Sequence, residues 1–216
     1  MEAKVKKAYS YDDIAKKNFK TIALTGEWLR HQGVVEQSGS ILIYGDSGHG
    51  KTTYAMRFMK ELTKSGKVFY NTAEEGMRKS FFRSLNLNNA KVVKSKFTFQ
   101  KEKYDDMVLR LRRKRQPKIV IVDSVQYVFR GKKAADYFNL IEEFDTTLFI
   151  FISHVSKGHP EGAVANEIYW DCQNRILIED FKAIVEKSRC GADEITPLIV
   201  NEQKARDREF EISRKG

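Results

Sequence analysis

Gly45-Asp46-Ser47-Gly48-His49-Gly50-Lys51-Thr52 places two glycines, a lysine and a hydroxyl at the spacing G-x-x-x-x-G-K-[ST]. That spacing suits a phosphate group. Glycines let backbone N–H groups curl round an anion without Cβ interference, and a helix starting at Lys51 adds its partial positive charge at the same point. Lys51 would reach the β- and γ-phosphates while the Thr52 hydroxyl ligates Mg²⁺. Gly45 through Thr53 is therefore the candidate nucleotide cradle, with ATP and Mg²⁺ as its ligands. At ordinary glycine usage, a chance match in a chain this long has odds of roughly one in a hundred or less.

The flanking residues supply the elements such a cradle needs. Ile41-Leu42-Ile43-Tyr44 reads as a buried strand, and Thr53–Lys60 has helical spacing, so strand, glycine turn and helix follow in order. Three further polar groups sit at predicted strand ends. Asp123 closes the apolar run Ile119–Val122, the arrangement that holds a Mg²⁺ shell beside a phosphate loop. Glu74 and Glu75 follow the strand Lys67–Tyr70 closely enough for one of them to orient and polarise water. Their other reading is a preference for the next helix N-terminus, with Thr72 as its cap. Ser153-His154 ends the strand Leu148–Ile152, where His154 either senses the γ-phosphate or serves a cap or the core.

Composition narrows the class. A chain of 216 residues, 41% hydrophobic and with three prolines, fits one domain with a sizeable core. The longest apolar run, Leu148–Ile152, is far short of a membrane span, and Met1–Lys7 lacks the apolar segment of a secretory signal. Cys172 and Cys190 lack metal-type spacing and suit a reducing compartment, so a cytoplasmic location is expected. The net charge of +10 favours a polyanionic partner, nucleic acid first. The densest cluster, Arg110–Arg115, has a plainer account in the C-terminal pole of its own helix.

Beyond residues 1–39, an N-terminal extension with short helices near 12–17 and 27–31, strand and helix alternate. Helices are expected at 77–85, 104–115 and 134–144, and strands at 67–70, 91–93, 118–122 and 148–152. The alternation implies βαβ units and a parallel sheet. After Glu167 four β-rich segments, 175–179, 183–187, 198–201 and 209–213, read as an antiparallel extension at the sheet edge.

The set GDSGHGKT (45–52), TAEEG (72–76), IVIVDSVQ (119–126) and ISHVSKG (152–158) resembles the RecA-like ATPases, in particular the RadA/Sms, DnaB and KaiC branch and its small stand-alone versions in phages and mobile elements. The resemblance covers residues 40–210 or so and implies an α/β, RecA-like (ASCE) P-loop core spanning 40–216. It implies that the strand Leu148–Ile152 lies between the phosphate-loop strand and the Asp123 strand, and that Glu74, before Glu75, is the catalytic glutamate. It also implies a homo-oligomer, ring or filament, acting on single-stranded DNA in recombination, repair or replication. The DNA-facing loops would be 129–133 and 155–165, presenting Arg130, Lys132, Lys133 and Lys157. Phe129 stays open between a base-stacking surface and the core. Lys204-Ala205-Arg206-Asp207 resembles the K-x-R segment that the branch inserts into a neighbour's nucleotide site; its plain alternative is a charged turn between strands. A KaiC-like assembly switch without DNA binding is the competing function. A small-molecule kinase is less well supported, for want of a lid arginine pattern.

Overall fold

The computed structural model describes residues 8–191 and 197–214. The Met1–Lys7 segment, read above as free of a secretory signal, lies outside the described residues. In chain order the elements are α1 (Tyr11–Ala15), β1 (Thr21–Ile22), α2 (Gly26–Gln32), β2 (Val35–Glu36), β3 (Ser40–Tyr44), α3 (Lys51–Leu62), β4 (Val68–Thr72) and α4 (Lys79–Leu87). A 3₁₀ turn (Ala90–Val93) precedes β5 (Phe97–Gln100), α5 (Tyr104–Leu111), β6 (Ile119–Asp123), α6 (Val125–Val128), α7 (Ala134–Glu143) and β7 (Leu148–Ser153). The chain continues through β8 (Val155–Ser156), β9 (His159–Pro160), α8 (Ala163–Asp171), β10 (Asn174–Glu179), β11 (Lys182–Ser188), β12 (Leu198–Ile199) and α9 (Glu202–Ser213).

The main sheet has the order β12-β11-β10-β3-β7-β6-β4-β5. β7 lies between β3 and β6, as the resemblance implies. The central strands read as continuous apolar runs because helices cover both faces. Ile41, Ile43, Val68, Tyr70, Ile119, Ile121 and Ile150 point to the α3 side, while Leu42, Phe69, Val120, Val122, Phe149 and Phe151 point to the α5, α7 and α8 side. The ladders β3–β7, β7–β6 and β6–β4 are parallel and closely in register, pairing Tyr44 with Ser153, Ile152 with Asp123, and Asp123 with Thr72. Four strands therefore end on one line.

Three sequence expectations are corrected. Residues 91–93 belong to the 3₁₀ turn, and the strand comes later as β5, an edge strand whose alternating half-exposed residues lack a continuous apolar run. β10 pairs parallel to β3, so the antiparallel extension comprises only β11 and β12. Residues 209–213 are helical, inside α9, whose charged sequence buries only Ala205. Helix bounds also shift: α4 starts at Lys79 rather than 77, and α5 stops at Leu111, short of Arg115, which adopts φ 62°.

Part of the N-terminal extension packs into the core. Trp28 is buried and stacks on Phe58 of α3 at 5.0 Å, beside Tyr54 at 5.4 Å. Thr25 donates from its N–H (2.8 Å) and its Oγ1 (2.9 Å) to the buried Glu61 carboxylate. Gln173 Nε2 donates to Ser38 O (2.8 Å) on the other flank. Trp28→Ala is expected to cost about 3–5 kcal/mol, the usual range for a buried aromatic truncated to Ala. Urea unfolding checks this; an unchanged midpoint would mean that the segment does not share the core.

Candidate nucleotide site

The loop after β3 is shaped by contacts that exclude side chains. A Cβ on Gly45 would stand 2.1 Å from Ile178 O, so β10 presses directly on the loop backbone. Gly50 adopts φ 106°, and its Cβ would meet Phe181 Cδ1 at 3.1 Å and Val200 Cγ1 at 3.2 Å. α3 begins at the next residue, Lys51, with its N-terminal N–H groups facing the loop. Lys51 is buried, and its Nζ donates to Gly45 O (2.7 Å) and Asp46 O (2.8 Å). Burial lowers the Lys51 pKa, and Glu74, Asp123 and Asp46 pull it back up.

The strand ends bring the other predicted residues to this loop. Ser47, Gly48, Gly50, Lys51, Thr52, Thr53, Glu74, Glu75, Asp123 and His154 line one cleft, joined by Phe181 and Lys204. His49 sits on the cleft's far flank, where its Nδ1 accepts a hydrogen bond from the Asp180 N–H (3.2 Å). Thr72 is a buried β4 residue and α4 starts beyond Arg78, so neither Thr72 nor the glutamates cap that helix. The Glu74 N–H instead donates to Asp123 O (3.1 Å), tying the β4 exit to the β6 end.

Asp123 is buried and accepts from Tyr70 Oη at 2.8 Å. Burial pushes its carboxyl up to about 6, against the Tyr70 hydrogen bond, and Glu74 and Glu75 push the same way. Among the described residues, Thr72 Oγ1 and Glu75 Oε2 are buried with no hydrogen-bond partner in the protein. A cation suits this corner: it would relieve the crowded acids and satisfy buried oxygens, with the Thr52 hydroxyl and Asp123 as its holders. The donor set, all oxygen, matches Mg²⁺.

His154 Nε2 lies 2.8 Å from Glu74 Oε2. That contact holds the Glu74 carboxyl below its usual value and raises the His154 pKa. Gln126, unremarked within DSVQ, clamps the β7 exit: its Nε2 donates to Ser153 Oγ and Glu161 O (2.8 Å each), and its Oε1 accepts from the His154 N–H (3.2 Å). Phe181 carried no sequence signal, because a turn residue becomes a cleft wall only once β10 and β11 are paired beside β3.

Other expected positions fall elsewhere. Phe129 is buried against Tyr104 (5.0 Å) and Phe151 (5.9 Å), which settles it as core; the exposed aromatic nearby is Tyr127, under Arg130 at 5.4 Å. Arg130, Lys133 and Lys157 are exposed, whereas Lys132 is half-buried and paired with Asp105 at 2.6 Å. Lys204 and Arg206 lie on α9 rather than in a turn.

A parallel sheet with a glycine loop, lysine and acidic residues at its carboxyl edge defines a P-loop nucleotide-binding protein of the RecA-like kind. The chain belongs to the AAA domain family, whose profile matches residues 34–154, more than half of the chain. It is 26% identical over 146 residues to the DNA repair protein RadA of Pseudomonas aeruginosa, covering 62% of this chain and 30% of that protein. The RadA of Escherichia coli is 24% identical over 195 residues, covering 81% of this chain and 41% of the relative. The chain thus spans under half the length of these curated relatives.

Solved structures share the fold. The KaiC-like protein PH0186 of Pyrococcus horikoshii has a TM-score of 0.64 at 14% identity, covering 83% of this chain and 93% of that one. The flagellar accessory protein FlaH of Methanocaldococcus jannaschii has a TM-score of 0.62 at 17% identity, covering 84% of this chain and 97% of that one.

The Glu74–His154 contact makes a signed prediction. A raised His154 pKa stabilises the fold fully below the unfolded-state value, and this is lost as pH rises through the folded-state value. The lowered Glu74 pKa contributes above the unfolded value and is lost as pH falls through the folded one. The pair thus stabilises most between these limits. By NMR, His154 is expected to titrate above 6.5, and Glu74→Gln to lower that value; an unmoved titration in the variant would sink the pairing.

Proposed function

We propose that the chain is an ATP hydrolase acting as a homo-oligomer on single-stranded DNA, in recombination, repair or replication. One observation carries the ATPase reading: the glycine loop, Lys51, Thr52, Asp123 and Glu74 meet in a single cleft. In this reading residues 40–216 are the ATPase core, and residues 1–39 an extension whose second half covers α3.

Within the cleft, the loop N–H groups and the α3 N-terminus would bind and orient the phosphates, and Lys51 would move from its loop carbonyls to the β/γ-oxygens. Mg²⁺, held by Thr52 and Asp123, would neutralise charge developing on the transferred phosphoryl group. Glu74 is the general base that orients and deprotonates water, and His154 fixes its carboxylate from the β7 side. Glu75 stands beside it as the alternative base.

The DNA reading is supported by the +10 charge and by the distant likeness to proteins named for DNA repair. The contact face proposed is the α6–α7 loop with the β8–β9 hairpin, where Arg130, Lys133 and Lys157 are exposed and Tyr127 offers a ring for base stacking. Arg206 is 74% exposed, as contact with a neighbouring copy would require.

Lys51→Ala is expected to abolish Mg²⁺-dependent ATP hydrolysis. Glu74→Gln should retain binding and lose on the order of 10²–10⁴ in turnover. Phosphate release and fluorescent-nucleotide titration separate these effects, and loss in Glu75→Gln alone would reverse the assignment within the pair.

For DNA, the triple variant Arg130→Ala/Lys133→Ala/Lys157→Ala should weaken oligonucleotide binding. It should also flatten the log–log salt slope by about 2, at roughly 0.7 per single-strand phosphate contact. Fluorescence anisotropy decides; no affinity at low salt with an ATP analogue present would favour the assembly-switch reading.

A further inference from the structure

Lys204 and Arg206 look like one functional unit, because residues two apart share a side when the backbone is extended. Here they lie on α9, and a helix turning about 100° per residue separates them by about 200°. The structure follows that geometry. Lys204 lines the cleft with Lys51, Thr52 and Glu74 of its own chain, whereas Arg206 faces solvent and pairs with Glu202 at 3.5 Å. We infer that Lys204 serves the nucleotide cleft of its own chain, as a phosphate-side cation delivered by a C-terminal helix strapped across the phosphate loop. Arg206 does not enter that cleft. This inference rests on the ATP reading above.

Two tethers fix α9 to the loop. The first runs through Gly50, where the Phe181 and Val200 side chains pack so closely that an added Cβ would meet them at 3.1 and 3.2 Å. The Val200 N–H donates to Phe181 O (2.7 Å), and Asn201 then caps α9 by accepting from the Lys204 N–H at 3.0 Å. Lys204 Nζ lies 5.1 Å from the Phe181 ring centre, a cation–π contact directly beside the loop. The second tether runs through Asp180, whose N–H donates to His49 Nδ1 (3.2 Å) and whose carboxylate lies 3.5 Å from Arg208. The first turns of α9 are therefore held at both ends by residues that touch the phosphate loop.

The rest of α9 is lightly held. Ala205 is its one buried residue, and its remaining ties to the sheet include the Lys182–Glu209 pair at 2.6 Å, 40% and 60% exposed. Exposed pairs of this kind are weak and are screened by salt. The helix is thus a strap that salt loosens while the Phe181–Gly50 contact stays. A neighbour-supplied lysine would act only in an assembly; a lysine on the chain's own strap acts in a single subunit.

The test uses the full chain, diluted until sedimentation shows monomers, and titrates it with mant-ATP and Mg²⁺. Lys204→Ala is expected to weaken monomer affinity about tenfold, the usual effect of losing a charge-assisted hydrogen bond. Lys204→Arg should recover part of it, and Arg206→Ala should leave it unchanged. Mixing Lys51→Ala with Lys204→Ala subunits under assembling conditions should restore no turnover, since each defect lies in its own subunit's site. Unchanged monomer affinity in Lys204→Ala, or restored turnover in the mixture, would overturn the inference and place Lys204 in a neighbour's site. Wild-type protein that fails to bind mant-ATP would overturn the ATP reading itself, a result distinguishable from either.

Discussion

The in-register parallel ladder β3–β7–β6–β4 is the constraint on which the site depends. Each strand delivers one component where it ends: the glycine loop after Tyr44, His154 after Ser153, Asp123 itself, and Glu74 two residues after Thr72. A slip of one residue in any ladder would send that side chain to the opposite face of the sheet, since side chains alternate with a period of two. Both faces are apolar and covered, so the register is held by how closely each side chain fits its own buried layer rather than by polarity. Packing and the geometry of the cleft thus share a cause.

Electrostatics then sets what the cleft favours. Three carboxylates and one buried lysine crowd into it, and burial works against the charged forms of both Asp123 and Lys51. Such a site is relieved by ligands of both signs, an anion for the loop and Lys51, a cation for Asp123 and its neighbours. Mg²⁺ with a nucleotide triphosphate is that combination. His154 pairs with one of these carboxylates, Glu74, and so distinguishes its surroundings from those of Glu75.

The C-terminal third shows how one site can be walled by residues far away in sequence. β10 joins the sheet beside β3 and sets Ile178 O against Gly45, so the phosphate loop is braced by a strand that comes much later in the chain. The turn after β10 supplies Phe181 and Asp180, and α9 follows over the same opening. Residues 209–213 have the mixed apolar and charged spacing of an edge strand, yet they finish a helix that Asn201 caps at its far end. Local spacing alone does not distinguish these outcomes in a segment that buries a single alanine.

Read alone, the residues specify the phosphate loop, the strand–loop–helix around it, the alternation behind the parallel sheet, Asp123 as an acid at a strand end, and the pair Glu74 and Glu75 just past another. These are legible because each depends on short-range rules: glycine where a side chain cannot fit, a helix start where an anion is held, and unbroken apolar runs where a strand is covered on both faces. Other features exist only once distant segments are packed together. Packing makes Phe129 core and leaves Tyr127 exposed, sets Trp28 beneath α3, and runs β10 parallel to β3. Each of these turns on which remote segment lies alongside, and long-range contacts of that kind leave no periodic trace in the residues that make them.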